Sequence, residues 1–302
     1  MPKILMISEF FYPNQSATSH YMTGIARGLA EKYAVKVICT ITTQDEKYLS
    51  LNSMNNINII RKSVPLMDKS NIFIRILSAV YASIKIIITA HQNIDSDTIV
   101  VVVTNPPLIP SLITIIAKLK HAKIVVRVDD IYPEALVASG LIKANSFLRP
   151  LLRVFFRGSF KVADRVVVLG RDMAEVICSD SAIDKERVKV IPNWGDVATV
   201  YPEPKLSNSL LISLGLENEF VVLVAGTIGR VQGIDTIVRA AVMLKKSKIK
   251  FLIVGSGAKE SWVKNVIKSE KLENLILVGP KPKNEQKIFL NACDVSLLSL
   301  KD

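Results

Sequence analysis

A glycine-rich loop with one arginine follows the apolar run Phe220–Ala225 and precedes an amphipathic helical pattern. It carries Gly226, Gly229, Arg230 and Gly233. Glycines allow the backbone to come close to a ligand, and the free N–H groups at the start of a helix favour a phosphate. An arginine can add a two-point charged contact. The spacing therefore indicates a phosphate-binding loop, with an ordinary strand-to-helix turn as the alternative.

Two more loops of this kind follow the next two apolar runs. Gly255 and Ser256 come after Ile249–Val254, and Gly279 comes after Leu275–Val278. Since ligands bind outside the carboxyl ends of parallel strands, three such loops predict a ligand site at one sheet edge, although each alone could be a helix cap. The spacing G-x-x-G-x-x-x-G, with no acidic residue ending the following run, argues against a nicotinamide dinucleotide enzyme.

Three carboxylates follow another buried run, Lys123–Val128. Asp129, Asp130 and Glu134 stand just past its end, and Arg127 lies within it. Charged side chains in such a place are costly unless they are solvated, paired or used. They predict general acid–base work or the binding of sugar hydroxyls, with capping of the next helix by Asp130 as the alternative.

A loop of small polar residues follows the first apolar run, Lys3–Ser8, and opens a helical pattern. Its residues Ser16, Ala17, Thr18 and His20 suit a hydroxylated ligand. The alternative is a plain helix cap at Ser16 or Thr18, and an isolated histidine is more often structural.

Apolar runs alternate with helical patterns along the chain, which predicts parallel, doubly wound α/β sheets. The predicted strands are Lys3–Ser8, Val35–Thr40, Ile57–Arg61, Thr98–Val103, Lys123–Val128, Arg165–Leu169, Val188–Ile191, Phe220–Ala225, Ile249–Val254, Leu275–Val278 and Val295–Leu298. The predicted helices are Thr18–Lys32, Ile72–His91, Pro107–Lys120, Ser146–Val162, Arg171–Cys178, Ile234–Lys245, Ala258–Glu270 and Asn284–Ala292. Polar, proline-containing segments at 192–196 and 201–204 indicate a linker, so we predict two domains, residues 1–195 and 196–302.

The composition is basic. The 302 residues include 39 Lys and Arg against 27 Asp and Glu, a net charge of +12. Such a surplus favours anionic partners: lipid headgroups, phosphorylated ligands or nucleic acid. The sequence has no helix-turn-helix, RNP or zinc pattern, so nucleic acid is not expected. The three widely spaced cysteines argue against a disulfide framework, and we expect neither a signal peptide nor a membrane-spanning helix.

Basic residues recur along one predicted helix. Arg149, Arg153, Arg157 and Lys161 are spaced by four, with apolar residues on the remaining faces. The predicted helix Ile72–His91 also combines apolar and basic residues. Both helices suit an anionic membrane surface. The alternative is a core-facing amphipathic helix with a solvated basic face.

Six short motifs occur in order along the chain: Glu9–Pro13, Thr104–Pro107, Asp130–Glu134, Val190–Asn193, Gly226–Asp235 and Ala292–Val295. In these motifs the sequence resembles glycosyltransferase family 4. It is most similar to the branch that builds bacterial O-antigen, capsule and colanic acid polymers, including N-acetylfucosaminyl transferases. The resemblance covers essentially the whole chain.

The resemblance implies a GT-B fold, in which two Rossmann-like doubly wound domains face a cleft. It implies a retaining enzyme without a bound metal or cofactor, acting in the cytoplasm at the inner face of the cell membrane. The C-terminal domain would bind a nucleotide-diphosphate sugar donor and the N-terminal domain a polyprenyl-diphosphate-linked acceptor. The implied residues are, for the diphosphate, Gly226, Gly229, Arg230 and Gly233; for the nucleotide, Gly255 and Ser256; for orienting or deprotonating the acceptor, Asp129, Asp130 and Glu134; and for binding it, Ser16, Ala17, Thr18 and His20.

Three departures from the family pattern bear on activity. Thr227 and Gln232 stand where many members have Arg and Lys, and residues 16–18 replace paired glycines. The family also places a carboxylate pair beyond the strand Val295–Leu298, whereas the sequence ends at Asp302. We therefore expect the second domain to be incomplete and the chain to be inactive. The alternatives are an inactive remnant or membrane-docked partner of a polysaccharide assembly complex, and a nucleotide-sugar 2-epimerase.

Overall fold

The computed structural model describes residues 2–42, 53–54, 56–65 and 72–300, without the side chains of residues 72, 73, 75 and 76. The chain divides into two compact units. The first comprises Met1–Val137 and Ile142–Asn193, and the second comprises Ala138–Leu141 and Trp194–Asp302. The main division therefore falls within the proline-containing segment that indicated a linker.

The first unit is built on one sheet. Its strands are β1 (Lys3–Ile7), β2 (Ala34–Thr42), β3 (Ser53–Met54), β4 (Ile57–Val64), β5 (Thr98–Val103), β6 (Lys123–Val128), β7 (Arg165–Val168) and β8 (Val188–Val190). Their order is β3-β4-β2-β1-β5-β6-β7-β8, and neighbours pair in parallel except β3, which runs antiparallel to β4. The seven parallel strands confirm the predicted ones. The two-residue β3 was missed because it carries no alternating pattern.

Six helices belong to the same stretch of chain. They are α1 (Ala17–Ala30), α2 (Ile72–Asn93), α3 (Ile109–Leu119), α4 (Glu134–Ala138), α5 (Leu148–Val162) and α6 (Arg171–Ser181). Five of them were predicted. The five-residue α4 was not, because it is shorter than two turns and cannot show a helical period.

The sheet has a core on each face, because successive strand residues point to opposite sides. Along β1, Leu5 and Ile7 join the core packed by α2, α3, α5 and α6. Ile4 and Met6 join the core packed by α1. This is the doubly wound arrangement that the strand–helix alternation predicts.

The second unit repeats this design on a smaller scale. Its elements are α7 (Ser209–Leu214), β9 (Phe220–Ala225), α8 (Ile234–Met243), β10 (Ile249–Val254), α9 (Glu260–Glu270), β11 (Leu275–Gly279), α10 (Gln286–Leu290) and β12 (Val295–Ser296). The strand order is β11-β10-β9-β12, with every pair parallel. Phe251 and Ile253 pack against α8 and α9, and Leu223 and Leu252 face the other core. The strand β12 ends two residues earlier than predicted, although Leu297 N still donates to Leu223 O at 2.8 Å.

Candidate functional site

The order in which the chain adds strands to the first sheet reverses between β1 and β5. From β1 the chain moves to β2 and β4 on one side, and then to β5 through β8 on the other. Just past the ends of the two central strands, Glu9 N donates to Asn105 O at 3.4 Å. Such a reversal opens a crevice at the carboxyl edge, where ligands of α/β sheets bind. The predicted carboxylates follow β6, the next strand along this edge.

Asp129 and Asp130 are held at this edge by their neighbours. The Thr104 hydroxyl oxygen accepts from the backbone N–H groups of Asp129 at 3.0 Å and Asp130 at 3.2 Å. Arg127 Nε donates to Asp129 Oδ1 at 2.9 Å. Burial raises the pKa of both carboxyl groups, and for Asp129 the Arg127 guanidinium only partly offsets it. The alternative that Asp130 caps the next helix is wrong, because α4 begins at Glu134.

Tyr132 and Glu9 lie in the same group. The pKa of Tyr132 is raised first by burial and then by the carboxylates of Asp130, Glu9 and Asp129. The three acidic groups therefore lie near enough to the phenol to raise its pKa, although they come from two separate strand ends. Glu9 was not singled out as a site residue. Its position two residues past β1, beside the reversal point, is the signal that could have found it.

Glu134 takes a different environment from Asp129 and Asp130. Its Oε1 lies 3.7 Å from Arg153 Nε and 3.9 Å from Arg149 Nη2, both on α5. The structure thus brings two of the three predicted carboxylates together and pairs the third with α5.

The basic stripe on α5 is largely ion-paired. Arg153 Nη2 lies 2.6 Å from Asp180 Oδ2 on α6, and Arg157 contacts the same oxygen. The alternative of a solvated basic face did not include these ion pairs, because the neighbouring helix supplies a carboxylate that the spacing along α5 cannot reveal.

The segment Ser16–His20 forms the start of α1. Ser16 is its N-cap, with its hydroxyl oxygen accepting from Ser19 N at 3.3 Å, so the capping alternative is confirmed for this residue. Ala17 is exposed, and Thr18 and His20 are half-buried. These side chains remain within reach of solvent at the same sheet edge.

A buried arginine fixes the preceding loop. Arg61 Nη2 donates to Tyr12 O at 2.9 Å, and the Thr23 hydroxyl accepts from Tyr12 N at 3.2 Å. Burial lowers the pKa of Arg61, because the charged form is disfavoured away from water. Sequence analysis missed Arg61, since it stands within a strand far from the loop it holds.

Three loops meet at the carboxyl edge of the second sheet. Gly226 N donates to Val254 O, and Gly255 N donates to Gly279 O, each at 2.9 Å. Ile228 N donates to Ser256 O, also at 2.9 Å. The order in which the chain adds strands to the second sheet also reverses here, between β9 and β12. The predicted convergence of the three loops is confirmed.

Glycine is required where these loops touch. Gly226 and Gly255 both have φ of +147°. A Cβ on Gly255 would lie 1.8 Å from Gly226 O, and one on Gly257 would lie 2.4 Å from Ile228 O. Gly233, with φ of +56°, is the N-cap of α8. Gly255 and Gly257 therefore serve close backbone packing, and the N–H groups of Gly226, Ile228 and Gly255 hold the loops to one another.

Polar groups in the loop differ in exposure. Arg230 is exposed, whereas Gln232 Oε1 is buried and lacks a hydrogen-bond partner among the described residues. Lys259, on the neighbouring loop, pairs with Asp235 in the first turn of α8. The edge thus offers an exposed cation at Arg230, which suits an anionic ligand.

The described ranges contain no group of three or more His, Cys, Asp or Glu able to hold a metal ion. None of their helices has the length and hydrophobicity needed to cross a bilayer.

Comparison with known families assigns the chain to a class. Residues 18–199 match the family described as Glycosyltransferase Family 4, and residues 212–301 match the family described as Glycosyl transferases group 1. The first match alone spans more than half of the sequence, and the chain belongs to glycosyltransferase family 4. It is a glycosyltransferase enzyme with the GT-B fold.

Individual relatives agree with this class. The chain is 27% identical over 303 residues to a protein of Pseudomonas aeruginosa named a probable glycosyltransferase, WbjE, covering 100% of this chain and 75% of that protein. It is 26% identical over 165 residues to WcaI of Escherichia coli K12, named for colanic acid biosynthesis, covering 53% and 40%. The crystal structure of Anabaena HepE in complex with UDP-glucose superposes with a TM-score of 0.69 at 17% identity, covering 99% of this chain and 74% of that one. This last likeness shows the fold alone.

Proposed function

We propose, contrary to the expectation of inactivity stated above, that this chain transfers a sugar, with retention of anomeric configuration, from a nucleotide-diphosphate sugar to a lipid-linked saccharide in bacterial surface polysaccharide synthesis. The observation that carries the proposal is the meeting of three glycine-containing loops at the carboxyl edge of the second sheet. The name of WcaI supports the polysaccharide context. The complex of HepE with UDP-glucose supports a nucleotide sugar as donor.

The donor diphosphate would bind at the glycine loop of the second unit. Gly226, Gly229 and Gly233 would keep the loop close to the phosphates, and exposed Arg230 would contribute a charged contact. Ser256 beside Gly255 would line the nucleotide pocket.

The acceptor would bind at the carboxyl edge of the first sheet. Burial raises the pKa values of Asp129 and Asp130. Each carboxylate is therefore suited to accept a hydrogen bond or a proton from a sugar hydroxyl. Glu9 would add a further acceptor beside them. Glu134, paired with α5 arginines, would act by holding α4 rather than by touching the sugar. Ser16, Ala17, Thr18 and His20 would bound the acceptor.

A membrane would supply the lipid-linked acceptor, and the first unit has a surface that suits it. Three adjacent helices, α2, α3 and α5, pack in a row, and each exposes a stripe of large apolar side chains. We call this surface the apolar face; its residues are Leu77, Val80, Tyr81, Ile84 and Ile88 from α2, Ile115 and Leu119 from α3, and Phe147, Leu148, Leu151 and Val154 at and along α5. Large exposed apolar side chains on neighbouring helices are typical of an interaction site.

The charge of these helices favours an anionic bilayer as the partner. The sequences of α2, α3 and α5 contain no Asp or Glu and seven Lys or Arg. Because Arg153 and Arg157 are already paired with Asp180, apolar contact rather than a free basic stripe would contribute most of the binding. The enzyme would thus work at the inner face of the cell membrane.

The test is a donor screen. Nucleotide sugars, including UDP-glucose and UDP-N-acetylfucosamine, are incubated with the chain in the presence and absence of polyprenyl-diphosphate-linked saccharides. We expect release of nucleoside diphosphate only when donor and acceptor are both present, with NMR showing the donor's anomeric configuration in the product. Conversion of the sugar without acceptor would instead indicate an epimerase, and an inverted product would refute retention.

A further inference from the structure

Arg127 contacts both Asp129 at the candidate acceptor site and the last residue of the first unit, Asn193. It is a residue of β6 with only 4% of its surface exposed. Its Nε donates to Asp129 Oδ1 at 2.9 Å, and its Nη2 donates to Asn193 Oδ1 at 2.7 Å. One buried guanidinium therefore contacts two residues that lie far apart in the sequence.

Asn193 occupies a particular place in the chain. The sheet is still paired two residues earlier, since Ile191 N donates to Val168 O at 2.9 Å. Asn193 is the last residue of the first unit, and Trp194 begins the continuous part of the second. The Arg127 contact thus holds the point at which the chain leaves one unit for the other.

We propose that Arg127 is a positioning residue that fixes the Asp129 carboxylate by using Asn193 as its second anchor, so that the orientation of Asp129 depends on the connecting peptide. The inference rests on the proposed function, in which Asp129 contacts the acceptor. A planar guanidinium donates in fixed directions, so a shift of either partner turns the whole fork.

The chemistry of the two anchors fits positioning better than simple charge neutralisation. One carboxylate already balances the arginine, and the second anchor is a neutral amide. The bond to Arg127 uses Asp129 Oδ1, while Oδ2 accepts no hydrogen bond within the described ranges. The Asp129 side chain keeps 17% exposure. One oxygen is therefore held in place while the other is left for a ligand.

The first test needs no activity. Asp129→Asn, Asn193→Ala and the double variant are compared by urea unfolding, once in the parent chain and once in a chain that carries Arg127→Lys. Neighbours in one hydrogen-bond network show coupling, whereas independent sites do not. In the parent we expect the two single effects to differ from additivity by at least about fivefold in the unfolding equilibrium constant. In the Arg127→Lys chain the difference should vanish, because a lysine ammonium cannot hold both anchors in the fixed geometry of the guanidinium fork. Additive effects in the parent would overturn the proposal.

The second test separates positioning from a loosened connection. Asn193→Ala is compared with Asn291→Ala, since Asn291 also holds this connection, donating to Tyr201 O at 3.0 Å and accepting from Glu203 N at 2.9 Å. We expect Asn193→Ala to lower kcat about tenfold with both KM values nearly unchanged, and Asn193→Asp, which keeps the acceptor oxygen, to restore it. Asn291→Ala should stay near the parent.

Equal loss in both alanine variants would assign the effect to the connection itself and overturn the role of Arg127. If the chain transfers no sugar at all, the proposed function fails, but the unfolding cycle still decides whether Arg127 couples Asp129 to Asn193.

Discussion

Replacing three residues of the apolar face should weaken membrane binding. Phe147, Leu151 and Val154 are exposed by 83%, 66% and 73%. Full burial of such side chains contributes about 1.5–3 kcal/mol each, so the exposed parts could contribute roughly 1–2 kcal/mol each. A helix lying in the interface immerses one side only, which lowers the sum to about 2 kcal/mol. Changing all three to Ser should therefore reduce vesicle partitioning about 30-fold.

The assay is co-sedimentation with vesicles of anionic and zwitterionic lipid at low and high salt. The chain offers a matched control in Val197, Leu206 and Met243, which belong to the second unit and are exposed by 84%, 68% and 85%. Their replacement by Ser removes a similar amount of exposed apolar surface. The control variant should bind as the parent does, and circular dichroism should show both variants folded.

Undiminished binding of the folded Phe147, Leu151 and Val154 variant would refute the role of the apolar face. Binding lost equally in the control would mean that general hydrophobicity, rather than this surface, carries the interaction. Binding that high salt abolishes completely would point to the lysines and arginines instead, because salt screens exposed charges and leaves apolar contact intact. A second copy of the chain covering the face would appear as a dimer that the Ser variant converts to monomer.

Three further changes test the structure. Gly255→Ala would place a Cβ 1.8 Å from a backbone oxygen, so it should lower the free energy of unfolding of the second unit by about 3 kcal/mol, measured by urea unfolding. Gly279 has φ of +85° with open space where a Cβ would lie, so Gly279→Ala should lower it by only about 1 kcal/mol. Equal losses would contradict the packing argument. Burial raises the pKa of Asp164, but hydrogen bonds from Lys118 and a backbone N–H together outweigh burial, so the pKa lies below the ordinary value of 3.8. The carboxylate therefore stabilises the fold above pH 3.8, and this stabilisation is lost as pH falls through the folded-state pKa. Asp164→Asn should lower the melting temperature at pH 7, and the gap to the parent should narrow as pH falls below 3.8 through the folded-state pKa. A gap that stays constant with pH would rule out the carboxylate. Asp180→Ala removes the carboxylate that pairs with Arg153 and Arg157, so the free energy of unfolding in urea should fall by about 1 kcal/mol. No change would mean that solvent screens these ion pairs.

The long elements could be predicted from the sequence because their patterns are repeated over many residues. Strands such as β5 and β6 are runs of Ile and Val, as expected where both faces of a parallel sheet are covered. The meeting of the glycine loops also followed, since parallel strands bring their carboxyl ends to one edge. Short elements such as α4 carry too few residues for any period to show.

The surface of α5 could not be predicted, and the reason is physical. Its apolar residues occupy several faces, so the period alone does not tell which stripe meets the core and which remains exposed. Phe156 is buried and Leu151 is exposed, although both are large and apolar. The partner of Arg153, Asp180, lies on a different helix. The contacts of Arg61 and Arg127 likewise depend on residues that only the folded chain brings near.

The loops at the edge of the second sheet are fastened to one another through main-chain atoms. Gly226, Ile228 and Gly255 donate their N–H groups to carbonyl oxygens of the neighbouring loops. Since these bonds do not involve side chains, exposed Thr227 can change identity without shifting the scaffold that presents it. A substitution at Thr227 would therefore change the side chain presented at this edge, while the main-chain frame of the loops stays as it is.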